Sequence, residues 1–511
     1  MSGRLLQMAR RSGVILGHVL VYVLIWLSLA LLVAAVGIRF YFGEISVGQM
    51  LLNLVSVEAD GGGGDLVWKG VLGIGVAPLL VTLAIAFWQH RRRRRRLAGE
   101  GPSPRTKWIT RAVSTVAVSA LVVGSTTAFA TTVNMADYIK SGNSKYDVGD
   151  YYAEPVVTSA DGARNLVLIY LESGEGTLAD DELFEKDAFL PLKEATPAAE
   201  GWQSVENFQQ YAGGGWTMAG LVSTQCGVPL KSAGGDGGRG VGGVDTYMGG
   251  TTCLGDVLAG HGYTNVFLGG ASSSFAAKDT FLSSHGYSEV KGLNDWRAAG
   301  EPADSFRPDW GLSDERLMAN ARDKVDELHA EAERTGNPFN LSVLTLDTHE
   351  PVHIYDYCEV DTENRVTSAF HCSLAQVAGF VEHMEAQGYL EDTAVVIMGD
   401  HLKHMSAGDA FHEQLDHHPN RTIFNRIWIP GQDQGSTLRD GVDQLSMYPT
   451  LLEAAGLTLE GRQAGLGVSA FAPEVPAGSA QAMDPEAYAE LLDSRSAQFY
   501  TQAWASDDVT E

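Results

Sequence analysis

Three long apolar runs open the chain, and beyond residue 160 the pattern changes to short apolar runs spaced by amphipathic stretches. Residues 14–38 ("VILGHVLVYVLIWLSLALLVAAVGI") contain no Asp, Glu, Lys or Arg. As a helix they are long enough to cross a hydrocarbon core of about 30 Å. Residues 71–88 form a second run, interrupted by Pro78, and residues 112–135 a third, rich in small side chains. The pattern predicts three transmembrane helices, with a buried core helix as the alternative for the second. A cleavable signal peptide does not fit the first run, whose apolar stretch is too long. Farther on, residues 165–171 ("NLVLIYL"), 264–268, 340–346, 393–398 and 422–429 read as buried strands, and 311–334 and 373–390 as helices between them. This alternation predicts an α/β domain, a mostly parallel sheet with helices on both faces. The division expected is a membrane region over 1–137, a linker over 138–160, the α/β domain over 161–475, and a tail over 476–511 with a helix inside 485–499.

Charge sharpens that division. Residues 1–137 hold 14 Lys/Arg against 6 Asp/Glu, a net of +8, whereas residues 138–511 hold 22 against 57, a net of −35. So acidic a part repels polyanions, which excludes nucleic acid as a partner. The run "HRRRRRRLAGEGPSPRTKWITR" (90–111) separates the second and third spans, and Arg4, Arg10 and Arg11 precede the first. Positive flanks stay in the cytoplasm. With three spans, the chain is expected to be a multi-pass protein of a bacterial cytoplasmic membrane, everything after about residue 136 lying on the periplasmic or extracellular side. The four cysteines all fall in that part. In an oxidising compartment they suggest two disulfides; three pairings are open, and the local one, Cys226–Cys253 with Cys358–Cys372, is favoured because it closes the shortest loops.

In such sheets ligands bind beyond the carboxyl ends of the strands. There the sequence places Glu172 and Ser173 after the first strand, "GGASSSFAAKD" after the second, Asp347 and His349 after the third, and Asp400 and His401 after the fourth. Carboxylates, imidazole and a hydroxyl suit a divalent cation such as Mn²⁺, Mg²⁺ or Zn²⁺. The stretch "GGGWTMAG" (213–220) presents Thr217 at the head of a helix, where the macrodipole and free N–H groups favour a phosphoryl group. Coordination would make that hydroxyl a competent nucleophile. The glycines are expected to let substrate approach the backbone closely. Ser173 and Thr177 are alternative hydroxyls, and the histidines of "HEQLDHHPNR" (412–421) read as a solvated loop, with a second metal site as the alternative.

These stretches resemble the phosphoglycerol transferase I family, membrane enzymes that modify periplasmic glucans, and more distantly the lipoteichoic acid synthases; both belong to the alkaline phosphatase/sulfatase superfamily. The resemblance lies in "YYAEP" (151–155), "NLVLIYLES" (165–173), "WTMAGLVSTQCGVPL" (216–230), "CLGDVL" (253–258), "AAKDTFLSSHGY" (276–287), "DWGLSDE" (309–315), "LTLDTHEP" (344–351) and "DHL" (400–402). It implies an alkaline-phosphatase-like fold and one divalent cation, Mn²⁺ first, with Mg²⁺ or Zn²⁺ possible, held by Glu172, Thr217, Asp400 and His401. Thr217 is then the nucleophile and His349 a contact of the substrate head group. Lys278 stands where the lipoteichoic acid synthases use an arginine, and Trp310 and Asp314 either shape the substrate pocket or pack. Sulfatase activity proper is disfavoured, because "CGVPLK" departs from the C/S-x-P-x-R pattern of the modified residue.

The implied reaction moves glycerophosphate from phosphatidylglycerol, through a phospho-threonine, to a hydroxyl of an envelope glycan or glycerol polymer, releasing diacylglycerol. A phosphoethanolamine transferase or a phosphodiesterase is the alternative within the superfamily. A non-catalytic polymer-binding membrane protein is the alternative outside it.

Overall fold

The structure, a computed structural model, describes residues 2–505 apart from 44, 49, 51–67, 98–102, 233–244, 309, 407 and 433–436. Most of the 39–70 loop, the centre of the basic loop and Asp309 of "DWGLSDE" therefore lie outside the described residues. The chain divides into two compact units, residues 1–47, 64–136 and 406–408 in one, and residues 48–63, 137–405 and 409–511 in the other.

The first unit is helical: α1 (Ser2–Tyr41), α2 (Ala77–Leu97) and α3 (Pro104–Thr132). Three segments in it, Leu16–Tyr41, Trp68–Arg92 and Arg105–Thr132, are long and apolar enough to cross a membrane. Large side chains such as Leu20, Leu80 and Val116 are more than half exposed, an outer surface suited to lipid. Pro78 does not end the second span. A π-helical stretch, Val71–Val76, runs directly into α2, and such a widened turn tolerates a residue that has no N–H to donate. At its far end α3 starts where the Ser103 hydroxyl accepts the Thr106 N–H.

The main sheet of the second unit has, among the described residues, six strands: β1 (Asn165–Leu171), β2 (Thr264–Gly269), β3 (Glu289–Lys291), β4 (Phe339–Leu344), β5 (Thr393–Gly399) and β6 (Asn425–Trp428). They lie in the order β3-β2-β4-β1-β5-β6. All neighbours are parallel except β5 and β6, which are antiparallel. Alternate residues of β1 feed two cores: Leu166, Leu168 and Tyr170 face one, and Val167, Ile169 and Leu171 the other. A strand buried on both sides needs apolar residues throughout, which is why "NLVLIYL" is a continuous run. The edge strand β3 ("EVK") is half-exposed and gives no such run, so the sequence pattern does not reveal it.

Helix α4 (Thr217–Cys226) packs on the first core and helices α5 (Asp314–Thr335) and α6 (Arg365–Gln387) on the second. The helix expected at 373–390 begins earlier, at Arg365, because the Asn364 side chain caps it by accepting the Val366 N–H. Residues 138–160 and those after 475, set apart on sequence, both contribute to this core. Val148 is fully buried with its N–H on Ser496 Oγ (2.7 Å), and Val157–Ser159 pairs with Thr458–Leu459. In the tail, helices Pro485–Asp493 and Ala497–Ala503 bury Leu491 and Tyr500 completely. Disulfides join Cys226 to Cys253 and Cys358 to Cys372.

Candidate active site

Where β1 and β5 end side by side, their next residues converge. The Asp400 N–H donates to Leu171 O (3.1 Å), and Asp400 Oδ1 accepts the N–H groups of Ser173 (2.9 Å) and His401 (2.8 Å). Ser173 turns the chain through a positive φ of 55° and donates its hydroxyl to Glu172 Oε1 (2.9 Å). The Nδ1 of His401 pairs with Leu402 O (2.8 Å), which leaves Nε2 at 3.5 Å from both Glu172 Oε1 and Asp400 Oδ2. Thr217, the first residue of α4 and half-buried, donates its hydroxyl to Glu172 Oε2 at 3.3 Å. No side-chain hydrogen bond from Trp216 caps α4, so the first-turn N–H groups remain available beside that hydroxyl.

This donor set fits a divalent cation. Ligand atoms of Glu172, Asp400 and His401 lie within 4.8 Å of one another, all three residues buried. Asp400 Oδ2 is buried and accepts no hydrogen bond from the described residues, a costly state for a carboxylate oxygen that no cation balances. Burial, together with the neighbouring charge of Glu172, pushes the Asp400 carboxyl well above the usual range. Glu172 moves the opposite way: burial would raise it, but His349 and His401 hold it low. A second grouping, Cys226, Cys253 and His285, offers no such site, because the two sulfurs are bonded to each other. His412 and His417 of the 412–421 loop lie 3.7 and 3.5 Å from Asp416 and join no metal-binding group among the described residues.

The glycines before Thr217 are not equivalent. A Cβ at Gly214 would stand 2.2 Å from Gln444 Oε1 and 2.7 Å from the Tyr211 ring, and only Gly213 has a left-handed φ, 102°. Gly214 makes room for protein, namely the Gln444 side chain and the Tyr211 ring.

The other expected residues divide into those that ring the site and those that build it. His349, on the loop after β4, has Nδ1 2.7 Å from Glu350 O, and its ring centroid lies 4.2 Å from that of Trp310. Trp310 donates Nε1 to Glu350 O (3.1 Å) and meets Phe275 edge-on, so it braces the imidazole. Lys278 follows Ala276 and Ala277, both at positive φ, and is almost fully buried. Burial pushes its ammonium down to about 8, against the pull of Glu172, Asp279 and Asp400. Asp314 is a loop clasp. Fully buried, its carboxylate accepts the N–H groups of Leu346 (2.7 Å) and Asp347 (3.1 Å) and the Ser373 hydroxyl (2.6 Å).

Two residues of "DHLKH" escaped the sequence reading. The His404 ring lies 5.1 Å from that of His401, and burial, helped by His401 and Lys403, pushes it down to about 3, a neutral imidazole at the site. The Lys403 side chain has no exposed surface; its ammonium bonds Glu350 (2.7 Å) and Asp409, while its N–H bonds Glu175 (3.1 Å). Glu175 in turn pairs with Arg421. The turn after β1, the His349 loop and the Asp400 loop are thus tied through one lysine. Only the histidine spacing in "DHLKH" signalled either residue.

The sequence profile of the sulfatase family matches residues 164–457. The chain belongs to the sulfatase family. Within that family the motif resemblance to phosphoglycerol transferase I is borne out. The phosphoglycerol transferase I of Salmonella heidelberg strain SL476 is 32% identical over 377 residues, 71% of this chain and 46% of that protein. Its counterpart in Escherichia coli O139:H28 is 35% identical over 266 residues, 50% of this chain and 33% of that one. The chain thus spans about half the length of the curated relatives it matches, or less. Among solved structures, a lipoteichoic acid synthase from Listeria monocytogenes superposes with a TM-score of 0.49 at 17% identity, covering 66% of this chain and 81% of that one. So loose a superposition carries no argument. This chain has a threonine-headed helix beside an acidic and imidazole cluster as its candidate centre, and "CGVPLK" departs from the modified-residue pattern.

Proposed function

We propose that the chain is a membrane-anchored phosphoglycerol transferase. Its donor is phosphatidylglycerol in the same membrane, and its acceptor a hydroxyl of an envelope glycan or glycerol polymer outside the cytoplasm. The observation that supports this reading above the others is the hydrogen bond from Thr217 Oγ1 to Glu172 Oε2 at the head of an uncapped helix. That bond joins the hydroxyl to Glu172, one of the three residues whose ligand atoms cluster as a cation would require.

In this reading Glu172, Thr217, Asp400 and His401 hold the divalent cation, Mn²⁺ in preference to Mg²⁺ or Zn²⁺. Bound there, the cation supplies Lewis acidity that lowers the hydroxyl pKa and offsets phosphoryl charge. The Glu172 carboxylate orients the Thr217 hydroxyl and stands ready at Oε2 to take its proton. Thr217 Oγ1 attacks phosphorus, the bond to the diacylglycerol oxygen breaks, and that oxygen leaves as the alcohol with the proton that Glu172 took from Thr217. A glycerophosphoryl ester on Thr217 remains. An acceptor hydroxyl then attacks the same phosphorus and passes its proton to Glu172, the bond to Oγ1 breaks, and that proton restores the threonine hydroxyl. His349, braced by Trp310, holds the glycerol head group, and the buried Lys278 offsets charge on the non-bridging oxygens. Three spans tether the site near its lipid donor and raise its effective concentration.

The test follows phosphatidylglycerol labelled in its head group through cells with active protein or the Thr217→Ala variant. Label should reach an envelope polymer, with diacylglycerol accumulating, only with the active protein. Mass spectrometry of the quenched protein should show a glycerophosphoryl adduct on Thr217. A phosphoethanolamine adduct, or transfer undiminished in Thr217→Ala, would remove the assignment.

A further inference from the structure

Gln444 sits on the turn before helix Met447–Ala454, far in sequence from every residue of the candidate site, with no exposed surface. Its carboxamide is spent entirely on that site. Nε2 donates to the backbone oxygen of Asp400 (2.7 Å) and to that of Gly214 (3.4 Å), and Oε1 accepts the Tyr211 N–H (3.3 Å). One planar group therefore bridges the loop that leads into Thr217 and the backbone of the candidate ligand Asp400. The lack of a side chain at Gly214 is what admits it, since a Cβ there would overlap Oε1. Gln444 is itself held: its N–H donates to Gln209 O (3.1 Å). Its neighbour Asp443 accepts hydrogen bonds from Tyr488 Oη and Gln481 Nε2 (3.3 Å), both in the carboxyl-terminal segment.

We infer that Gln444 is a positioning residue that sets the spacing between the nucleophile's helix and the Asp400 loop, with the carboxyl-terminal segment as its support. The inference deepens the transferase reading and rests on it. An amide suits the task because it offers donors and an acceptor in one fixed plane at no cost in buried charge. A leucine there would leave the Asp400 and Gly214 carbonyls and the Tyr211 N–H without that partner.

The test uses the full-length protein in detergent and three readouts: Mn²⁺ affinity, amide hydrogen exchange over residues 211–220, and kcat against KM for phosphatidylglycerol. Gln444→Leu should weaken Mn²⁺ binding about tenfold, the usual scale for a residue that orients a ligand. It should also speed exchange over 211–220 and lower kcat with KM little changed. Gln444→Glu, equal in size but without the donors, should repeat the pattern and serves where the leucine variant does not fold. Asn265→Leu is the control. That buried amide bonds Gly255 O and Gly286 O at the opposite end of β2, and its loss should lower Tm while leaving Mn²⁺ affinity and kcat alone. Wild-type Mn²⁺ affinity, exchange and kcat in both Gln444 variants would overturn the inference. So would an equal loss in Asn265→Leu. If the wild type shows no Thr217-dependent transfer, the transferase reading fails, and Mn²⁺ affinity and exchange still decide the role of Gln444.

Discussion

Gly220 and Asp400 meet backbone to backbone: a Cβ at Gly220 would stand 2.2 Å from the Asp400 carbonyl oxygen. The helix that begins with Thr217 can lie against the Asp400 loop only because its fourth residue has no side chain. Backbone cannot swing aside as a side chain can, so Gly220→Ala must push helix and loop apart. Misplacement of about 1 Å costs on the order of 100-fold in rate. Gly220→Ala should lose at least that much transfer while keeping a cooperative thermal transition. Near wild-type rates would show that the contact does not set the reacting geometry.

Cation binding should register as stability. A ligand that binds only the folded state adds about 2.7 kcal/mol at 100 times its Kd. Saturating Mn²⁺ should therefore raise Tm of the chelator-treated wild type, and Asp400→Asn should lose most of that rise. Equal rises in both would place the cation somewhere other than Glu172, Asp400 and His401.

Lys403 is a buried ammonium shared by two carboxylates, and neither it nor Asp409 has exposed side-chain surface. Removing one partner of such a group leaves buried charge uncompensated, at a cost of about 3–5 kcal/mol. Lys403→Met should lower the denaturation midpoint accordingly, and adding Asp409→Asn should restore part of the loss. No restoration in the double variant would show that the lysine stabilises by packing alone.

Asp347 sets a pH dependence of stability. Burial first, and then the charge of Asp314, raise its carboxyl well above the ordinary range, with Arg307 pulling the other way. The folded protein thus keeps a proton that the unfolded chain releases near pH 3.9, to within about a unit. The folded state is favoured most below that pH, and stability falls as pH climbs from there through the folded value. Asp347→Asn is neutral at every pH, so its urea midpoint should fall less as pH rises from about 4. Parallel pH profiles for the two proteins would sink the argument.

Hydrophobic pattern is a local property of a chain, and the sequence by itself determined what local pattern can carry. The three apolar runs long enough to span a bilayer, the fully buried strands and the residue types at the strand ends could all be read along the chain. Motifs such as "DTHEP" and "WTMAGLVSTQCG" gave the family. Only the tertiary structure decided the rest, because burial and hydrogen bonding join groups that sequence keeps far apart. It showed that Asp314 holds a loop, that Lys403 ties three loops together, and that Gly214 makes room for Gln444. Nothing in the residues around position 444 marks that glutamine. Its role exists only where Gly214 and Asp400 come within reach of one carboxamide.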